Sequence, residues 1–387
     1  MSDPRLAART GEVEPFRVVE VMEAAWALER AGRSIVRFIA GEPDFGTPAP
    51  VVAAAAAATA DGRIHYTASL GVPALQEAIS DYYRSRLGAA VPSERIAVTT
   101  GASGALLMAL GATVDPGGEV LLADPAYPCN RTFARLFEGR ARGVPVDPGT
   151  NYQLTAGLVA DRWDDHTTSV LVATPSNPTG TVVAPGELAA IADEVAARHG
   201  VLYVDEIYGE LVYDRTPTTV LTHTDDVFVI NSFSKTFGMT GWRLGWMVVP
   251  EWALDAVRTL AQNMYISPPT PAQHAALAAF TPEVWDEVAR RREAFQERRD
   301  LLVGGLRQIG FDVPVLPQGA FYVYADVTRF DDDSTAFARR LLDEAGVAVT
   351  PGRVFGTNGA ERHVRFSYTT TLADIHEGLD RMQAYLA

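Results

Sequence analysis

The chain of 387 residues contains a single lysine, Lys235, among its 33 lysine and arginine residues. Arginine stays protonated near neutral pH, whereas a lysine whose pKa is lowered can lose its proton and form a Schiff base with a carbonyl group. A position that keeps lysine in such an arginine-rich chain is therefore a candidate nucleophile. The alternative is the chance survival of one surface lysine.

Residues suited to phosphate binding surround this lysine. Lys235 lies in Ser232-Phe233-Ser234-Lys235-Thr236, directly after the predicted strand 227–230, and Arg243 follows in Gly241-Trp242-Arg243-Leu244-Gly245. A guanidinium group can grip phosphate with two parallel hydrogen bonds, and the two serine hydroxyls add further donors. This segment therefore predicts a site that holds both a phosphate and a carbonyl group.

A second candidate phosphate-binding segment, Gly101-Ala102-Ser103-Gly104, follows the predicted strand 95–99 and opens a helix. The N-terminus of a helix presents free N–H groups to an anion, although a plain tight turn fits the same residues. The chain has no Walker A loop around its lysine, because that motif needs glycine before lysine and Ser234 stands there.

Two further polar segments follow predicted strands, at the sheet edge where ligands of open α/β sheets bind. Asp205 ends the strand 201–204, and Asn177-Pro178-Thr179-Gly180 follows the strand 169–173. A buried carboxylate is costly unless it is paired, so Asp205 is a candidate ligand-binding residue. A helix cap or a structural salt bridge is the alternative for Asp205, and a simple turn is the alternative for the second segment.

Near the end of the chain, His363-Val364-Arg365-Phe366-Ser367 alternates polar and apolar residues. In a strand this alternation places Arg365 on the polar face. From there the guanidinium could bind a carboxylate through two hydrogen bonds. An exposed arginine in a salt bridge is the alternative.

The predicted strands and helices that carry these residues indicate an α/β fold. Short apolar strands without alternation, such as Val201–Val204, are typical of parallel strands covered on both faces by helices. We predict a large domain, residues 47–282, with a mostly parallel sheet flanked by helices. A smaller α+β domain is predicted from both termini, residues 1–46 and 283–387.

Composition excludes several classes of function. The net charge of −15 argues against nucleic acid and membrane partners, which need a basic face. With one cysteine, Cys129, and no HExxH spacing, we expect no disulfide and no metal site. The N-terminal residues lack the apolar segment of a signal peptide, which predicts a cytoplasmic protein.

Taken together, the segments resemble the class I aminotransferases of pyridoxal-phosphate fold type I. Gly41-Glu42-Pro43-Asp44-Phe45 and Asp205-Glu206-Ile207-Tyr208 add to the resemblance, which extends to the final helix. It implies pyridoxal 5′-phosphate as the cofactor. It also implies a ping-pong transfer of an amino group from an L-amino acid to a 2-oxo acid, commonly 2-oxoglutarate.

The resemblance also implies the catalytic roles. Lys235 would bond to the cofactor and later move a proton between the substrate Cα and cofactor C4′. Asp205 would keep the pyridine nitrogen protonated. Asn177 and Tyr208 would hydrogen-bond the phenolic oxygen, and Tyr127 would stack on the ring, unless it is only a core aromatic.

Binding roles follow in the same way. Arg365, with Asn177 and the backbone of Gly41, would bind the substrate α-carboxylate. Tyr66 would reach the phosphate of the other subunit and so implies a homodimer; a plain surface tyrosine is the alternative. The residues expected to hold the phosphate within one chain are Ala102, Ser103, Ser232, Ser234 and Arg243.

Two other functions remain open from the sequence. A carbon–sulfur β-lyase would use the same motifs, because the cofactor supplies the chemistry and the protein selects the bond that breaks. A DNA-binding regulator would need an added basic region, whereas only 40 residues precede Gly41. Phe16 and Tyr265 are possible residues of the side-chain pocket, and we expect a neutral or aromatic amino donor.

Overall fold

The computed structural model describes residues 5–13, 15, 17–62 and 64–387. Its strands are β1 (Val36–Arg37), β2 (Ile96–Thr99), β3 (Glu119–Asp124), β4 (Arg140–Pro145), β5 (Thr167–Ala173), β6 (Val201–Asp205), β7 (Phe228–Ser232), β8 (Gly245–Val248), β9 (Tyr322–Asp326), β10 (Val347–Ala348), β11 (Thr350–Pro351) and β12 (His363–Ser367). Its α-helices are α1 (Arg17–Arg30), α2 (Ala49–Ala60), α3 (Pro73–Leu87), α4 (Gly101–Thr113), α5 (Pro128–Leu136), α6 (Ala156–Arg162), α7 (Pro185–Ala197), α8 (Phe233–Thr236), α9 (Leu254–Met264), α10 (Thr270–Leu277), α11 (Pro282–Ile309), α12 (Ser334–Arg340) and α13 (Leu372–Leu386).

Seven strands form the main sheet in the order β2-β8-β7-β6-β5-β3-β4. The five strands from β7 to β4 pair in parallel, and only β8 runs antiparallel to its two neighbours. The carboxyl ends of β5, β6 and β7 therefore meet at one edge, where Asp205 and Ser232 end their strands. This architecture confirms the predicted α/β fold with a mostly parallel sheet.

Both faces of the main sheet are covered. Leu202 and Val204 of β6 pack into one apolar cluster, while Tyr203 between them packs into another on the opposite face. Because successive side chains of a strand point to opposite faces, a strand buried on both sides has no polar position to alternate with. This explains the unbroken apolar runs in the sequence.

A smaller sheet, β11-β12-β9, is antiparallel and carries Arg365. Its apolar core joins Phe38 from the N-terminal part to Leu302 of α11 and Met382 of α13, and it also takes in Tyr208. The short strand β1 pairs with β10. Segments from both ends of the chain thus pack together, as expected, while the limits of the two domains remain a prediction.

Several boundaries differ from those expected. The strand expected at 227–230 is β7, Phe228–Ser232, and the strand expected at 169–173 is β5, Thr167–Ala173. The elements not expected from the sequence are β4, β10, β11, α6, α8, α9 and α10. None of the helices in the described part of the chain combines the length and apolar character needed to cross a bilayer.

Candidate active site

A cavity of about 310 Å³ opens at the carboxyl ends of β5, β6 and β7, beside the N-terminus of α4. Every residue expected to bind the cofactor or the substrate carboxylate within one chain lines it. These residues are Gly41, Ala102, Ser103, Tyr127, Asn177, Asp205, Tyr208, Ser232, Ser234, Lys235, Arg243 and Arg365.

Lys235 lies on α8, the short helix that follows β7 and is capped by the Ser232 hydroxyl. Its amine donates a 2.6 Å hydrogen bond to the carbonyl oxygen of Gly41. Burial, helped by the nearby Arg243 and Arg365 guanidinium groups, lowers the pKa of Lys235 to about 8, against the opposing charges of Glu42 and Asp205. Near neutral pH a useful fraction of this amine is uncharged and able to attack a carbonyl carbon.

Asp205 is buried at the end of β6. Burial raises the pKa of Asp205 to about 6, opposed by the N–H of Ile207, 3.1 Å from Oδ1, and by the charge of Lys235. Among the ion pairs of the described residues none involves Asp205, so a structural salt bridge does not account for it. A buried carboxylate without an ion-pair partner among the described residues is suited to a positively charged ligand group.

An anion cradle surrounds the N-terminus of α4. The N–H groups of its first turn have no partner within the helix. Gly101 lies close to the side chain of Arg243. It has φ +78°, and a Cβ atom at that position would lie 2.9 Å from Nη2 of Arg243. At Gly245 a side chain would lie 2.9 Å from the backbone nitrogen of Ala102. Both glycines thus keep the cradle open to a group the size of phosphate.

Arg243 and two serines complete this cradle. Arg243 is exposed and donates to the carbonyl oxygen of Thr240 at 3.0 Å. In the described part of the chain it forms no ion pair, so its remaining donors are available to an anion. The hydroxyl of Ser232 donates to that of Ser234 at 2.9 Å, which keeps both beside Lys235.

Arg365 is buried on β12, with 2% of its surface exposed. Its guanidinium donates to Oδ1 of Asn177 at 3.0 Å and to the carbonyl oxygen of Ile39 at 2.8 Å, while Nε has no partner. Within the described ranges no carboxylate pairs with it, and burial lowers the pKa of Arg365. The alternative of an exposed salt-bridge arginine is therefore wrong, and the site is suited to bind a carboxylate.

Tyr322 was not identified from the sequence. Its hydroxyl lies 2.9 Å from that of Tyr208, and its ring lies under the guanidinium of Arg365, 4.4 Å from its carbon to the ring centroid. The sequence placed it in a strand but gave no sign that it faces a cavity. Other lining residues missed for the same reason are Val18, Met22, Ala40, Glu42, Leu106, Phe133, Ala173, Pro175, Ile207 and Thr240.

Two residues considered earlier, Tyr66 and Tyr265, lie elsewhere. Tyr66 is outside the cavity, with 79% of its surface exposed. Tyr265 does not line the cavity either: it packs against an apolar cluster of the main sheet, and its hydroxyl contacts the sulfur of Met108 at 3.0 Å. The idea that Tyr265 belongs to the side-chain pocket is therefore not supported by its position. Phe16 lies outside the described residues.

Comparison with known proteins gives one consistent family. The model of the family "Aminotransferase class I and II" matches residues 33–382. A valine–pyruvate aminotransferase of Mycobacterium tuberculosis is 42% identical over 384 residues, covering 99% of this chain and 98% of that protein. An aspartate aminotransferase of Streptomyces avermitilis is 34% identical, covering 100% and 97%. The crystal structure of an aminotransferase from M. tuberculosis has a TM-score of 0.96 at 42% identity, covering 100% and 99%.

Proposed function

Because the chain belongs to the class I and II aminotransferases, which use pyridoxal 5′-phosphate, we propose that it moves the amino group of a neutral L-amino acid to a 2-oxo acid by a ping-pong mechanism in the cavity around Lys235. The observation that carries this proposal is the arrangement of three charges on that cavity: an amine with a lowered pKa, a buried carboxylate and a buried guanidinium without a carboxylate partner.

The cavity's donors and acceptors fit the cofactor. When bound, pyridoxal phosphate supplies an aldehyde that captures amines and a ring that withdraws electrons. Asp205 would hold a proton at the pyridine nitrogen, which would give the buried carboxylate a partner of opposite charge. Asn177 and Tyr208 would donate to the phenolic oxygen, and Tyr127 would pack against the ring. The N–H groups of Ala102 and Ser103, together with Ser232, Ser234 and Arg243, would bind the phosphate.

Lys235 has two tasks in this proposal. Its amine holds the cofactor covalently between turnovers, and once released it moves the proton at the substrate Cα. Burial and two neighbouring guanidinium groups lower its pKa to about 8, so that the amine both accepts and returns a proton near neutral pH.

The substrate α-carboxylate binds to Arg365. Asn177 already accepts a hydrogen bond from the guanidinium and so holds its plane, and the backbone of Gly41 lies beside Lys235. A carboxylate bound bidentately to a buried arginine is fixed in both position and orientation. This places the Cα–H bond of the donor against the amine of Lys235.

The remaining walls favour a neutral side chain. The cations that line the cavity are Lys235, Arg243 and Arg365, and each already has a task. The free wall is formed largely by the apolar residues Val18, Met22, Leu106, Phe133 and Ile207.

Among the described residues no lining cation is thus left to pair with a side-chain carboxylate, and the same reasoning favours a monocarboxylic acceptor such as pyruvate over 2-oxoglutarate. The name of the valine–pyruvate relative agrees with this substrate class, although that of the aspartate aminotransferase from S. avermitilis does not.

A panel of amino donors tests this function directly. Each donor is mixed with the cofactor-loaded enzyme, and the half-reaction is followed through the cofactor absorbance. We expect valine, other aliphatic donors and aromatic donors to react faster than aspartate. A clear preference for aspartate would contradict the proposal, and release of pyruvate and ammonia without 2-oxo acid exchange would indicate a β-lyase instead.

We also propose a homodimer. Tyr66, Ile64, Met264 and Ile266 are all exposed, and the carbonyl of His65 accepts a hydrogen bond from Thr270 at the start of α10, which brings the two segments together. A second copy would cover these side chains and bring Tyr66 to the phosphate of its partner. Light scattering at micromolar concentration should give twice the chain mass; a monomer would contradict it. A cytoplasmic location remains a prediction.

A further inference from the structure

A second cavity, of about 350 Å³, adjoins the active-site cavity. Three residues line both: Met22, Ala40 and Glu42. Apart from these, Trp26, Ile35 and Ile39 are among the residues that line the second cavity only. The two spaces are therefore separated by a thin wall, and its composition determines whether a ligand can pass.

One face of α1 runs along both cavities. Val18 lines only the first, Trp26 lines only the second, and Met22 between them lines both. Residues four positions apart lie above one another on a helix, so these three side chains form one row. Met22 is thus the position on α1 at which the first space gives way to the second.

The side chains of the other two shared residues, Ala40 and Glu42, have little freedom to rearrange. Ala40 has only a methyl side chain. The carboxylate of Glu42 accepts a hydrogen bond from the Thr240 hydroxyl at 3.1 Å. Met22 has an unbranched side chain with three rotatable bonds, is only partly buried and packs against two separate apolar clusters. Of the three, Met22 therefore has the side chain that can rearrange most readily.

Arg365 fixes the direction from which a substrate would approach this wall. Its guanidinium donates to the carbonyl oxygen of Ile39, whose neighbour Ala40 is part of the wall. A carboxylate held by Arg365 therefore lies close to the boundary between the cavities. A donor with a short side chain fits within the first cavity, whereas a longer one meets Met22.

The second cavity could accept the end of such a side chain. Its apolar residues Trp26, Ile35 and Ile39 can cover methylene groups. Its charged lining residues are the carboxylates of Glu42, Asp44 and Asp374 and the guanidinium of Arg37, which pairs with Glu29 at 3.5 Å. Because these carboxylates outnumber the single, already paired arginine, the lining favours an uncharged chain over one that ends in a carboxylate.

We propose that Met22 sets the longest side chain that the amino donor can carry, and that the second cavity is a subsite for straight-chain 2-amino acids that extend past it. This inference rests on the proposed function, since it takes Arg365 as the anchor of the substrate carboxylate. It adds a residue that determines specificity and a space that no assigned role yet uses.

The test compares donors of increasing length, from norvaline to 2-aminooctanoate, in Met22→Ala. Shortening Met22 should raise the ratio of kcat/KM for 2-aminooctanoate to that for norvaline at least tenfold, because each buried methylene contributes roughly a factor of four. Met22→Leu, which conserves volume, and Val19→Ala, an exposed position on the same helix, should keep the wild-type ratio.

Met22→Phe narrows the passage and should lower the same ratio, so it decides the question if Met22→Ala does not fold. The proposal is overturned if neither variant shifts the ratio, or if Val19→Ala shifts it equally. Calorimetric titration with butanoate and octanoate adds a readout that does not require turnover: octanoate should gain affinity in Met22→Ala and butanoate should not. If the wild-type enzyme did not transaminate norvaline at all, the proposed function itself would be contradicted.

Discussion

The amine of Lys235 lies 2.6 Å from the carbonyl oxygen of Gly41, a residue 194 positions earlier in the chain. Three further hydrogen bonds join the same two regions: Glu42 accepts from Thr240, Thr47 donates to the carbonyl of Gly238, and Trp242 donates to Thr47. The loop that begins at Gly41 therefore lies against the segment 235–242 and forms one wall of the cavity. In the proposed function the hydrogen bond from Lys235 to Gly41 would be lost when the amine bonds to the cofactor.

Replacing Arg365 by lysine should weaken substrate binding. The variant keeps a positive charge but loses the planar pair of donors that can bind a carboxylate. It also loses the hydrogen bonds that the guanidinium donates to Asn177 and to the carbonyl of Ile39. We expect kcat/KM for valine to fall by about 10²-fold, mainly through KM. The control is Arg353→Lys, an exposed arginine nearby. Steady-state kinetics with unchanged KM in Arg365→Lys would argue against a carboxylate-binding role.

Replacing Asp205 by asparagine should slow the chemical step. Asparagine has the same shape but cannot carry the negative charge that holds a proton at the ring nitrogen. We expect kcat to fall by about 10²–10³-fold, typical for the loss of one preorganised electrostatic contact, while the cofactor remains bound through Lys235 and the phosphate cradle. Stopped-flow half-reactions measure the step. The control is Asp193→Asn, at an exposed position, which should react within twofold of the wild-type rate. The same small effect in Asp205→Asn would exclude this role.

Glu206 should make the stability of the cofactor-free protein depend on pH. It is buried, with 2% of its surface exposed, and burial raises its pKa to about 8 from an ordinary value of 4.5. Between these values the folded state keeps a proton that the unfolded state releases. The free energy of unfolding therefore falls as pH rises, by up to about 1.4 kcal/mol per unit.

Glu206→Gln removes this contribution, because glutamine does not titrate. Urea unfolding at pH 7, 7.5 and 8 should show a shallower decline for the variant than for wild type, and this range lies above the raised pKa of Asp205, about 6. Glu77→Gln, at an exposed position on α3, serves as the matched control. Parallel declines in wild type and Glu206→Gln would show that Glu206 does not titrate in this window.

The family, the fold class and the cofactor could be predicted from the sequence, because each depends on residues close together in the chain. Ser232, Ser234 and Lys235 form one segment, and the apolar runs reveal buried strands directly. Tyr322 and Met22 could not be found in this way. Their positions depend on which face of β9 or α1 borders the cavity, and that is set by packing between separate segments, such as the contact of Tyr322 with Tyr208 across 114 positions, for which a single sequence gives no signal.

Replacing Tyr66 by phenylalanine should weaken cofactor binding if the tyrosine reaches the phosphate of the other subunit. Loss of one hydrogen bond to a charged group should raise the cofactor Kd about tenfold, measured by fluorescence titration. Trp252→Phe, also exposed, should leave Kd unchanged.

Mixing subunits of Tyr66→Phe and Lys235→Ala tests the shared site itself. In a mixed dimer one site combines both substitutions and the other has Lys235 and Tyr66 intact. At limiting cofactor the mixture should therefore be more active than either variant alone. An unchanged activity after subunit exchange would contradict a site shared between subunits.

Reduction with borohydride tests the central role of Lys235 most directly. The cofactor-loaded protein is reduced, denatured, digested with trypsin and analysed by mass spectrometry. We predict that the cofactor mass remains on Lys235 and blocks cleavage there, so that residues 216–243 appear as one peptide, whereas Lys235→Ala retains no cofactor. Loss of the whole cofactor on denaturation, or its attachment to the N-terminal amine instead, would contradict the account.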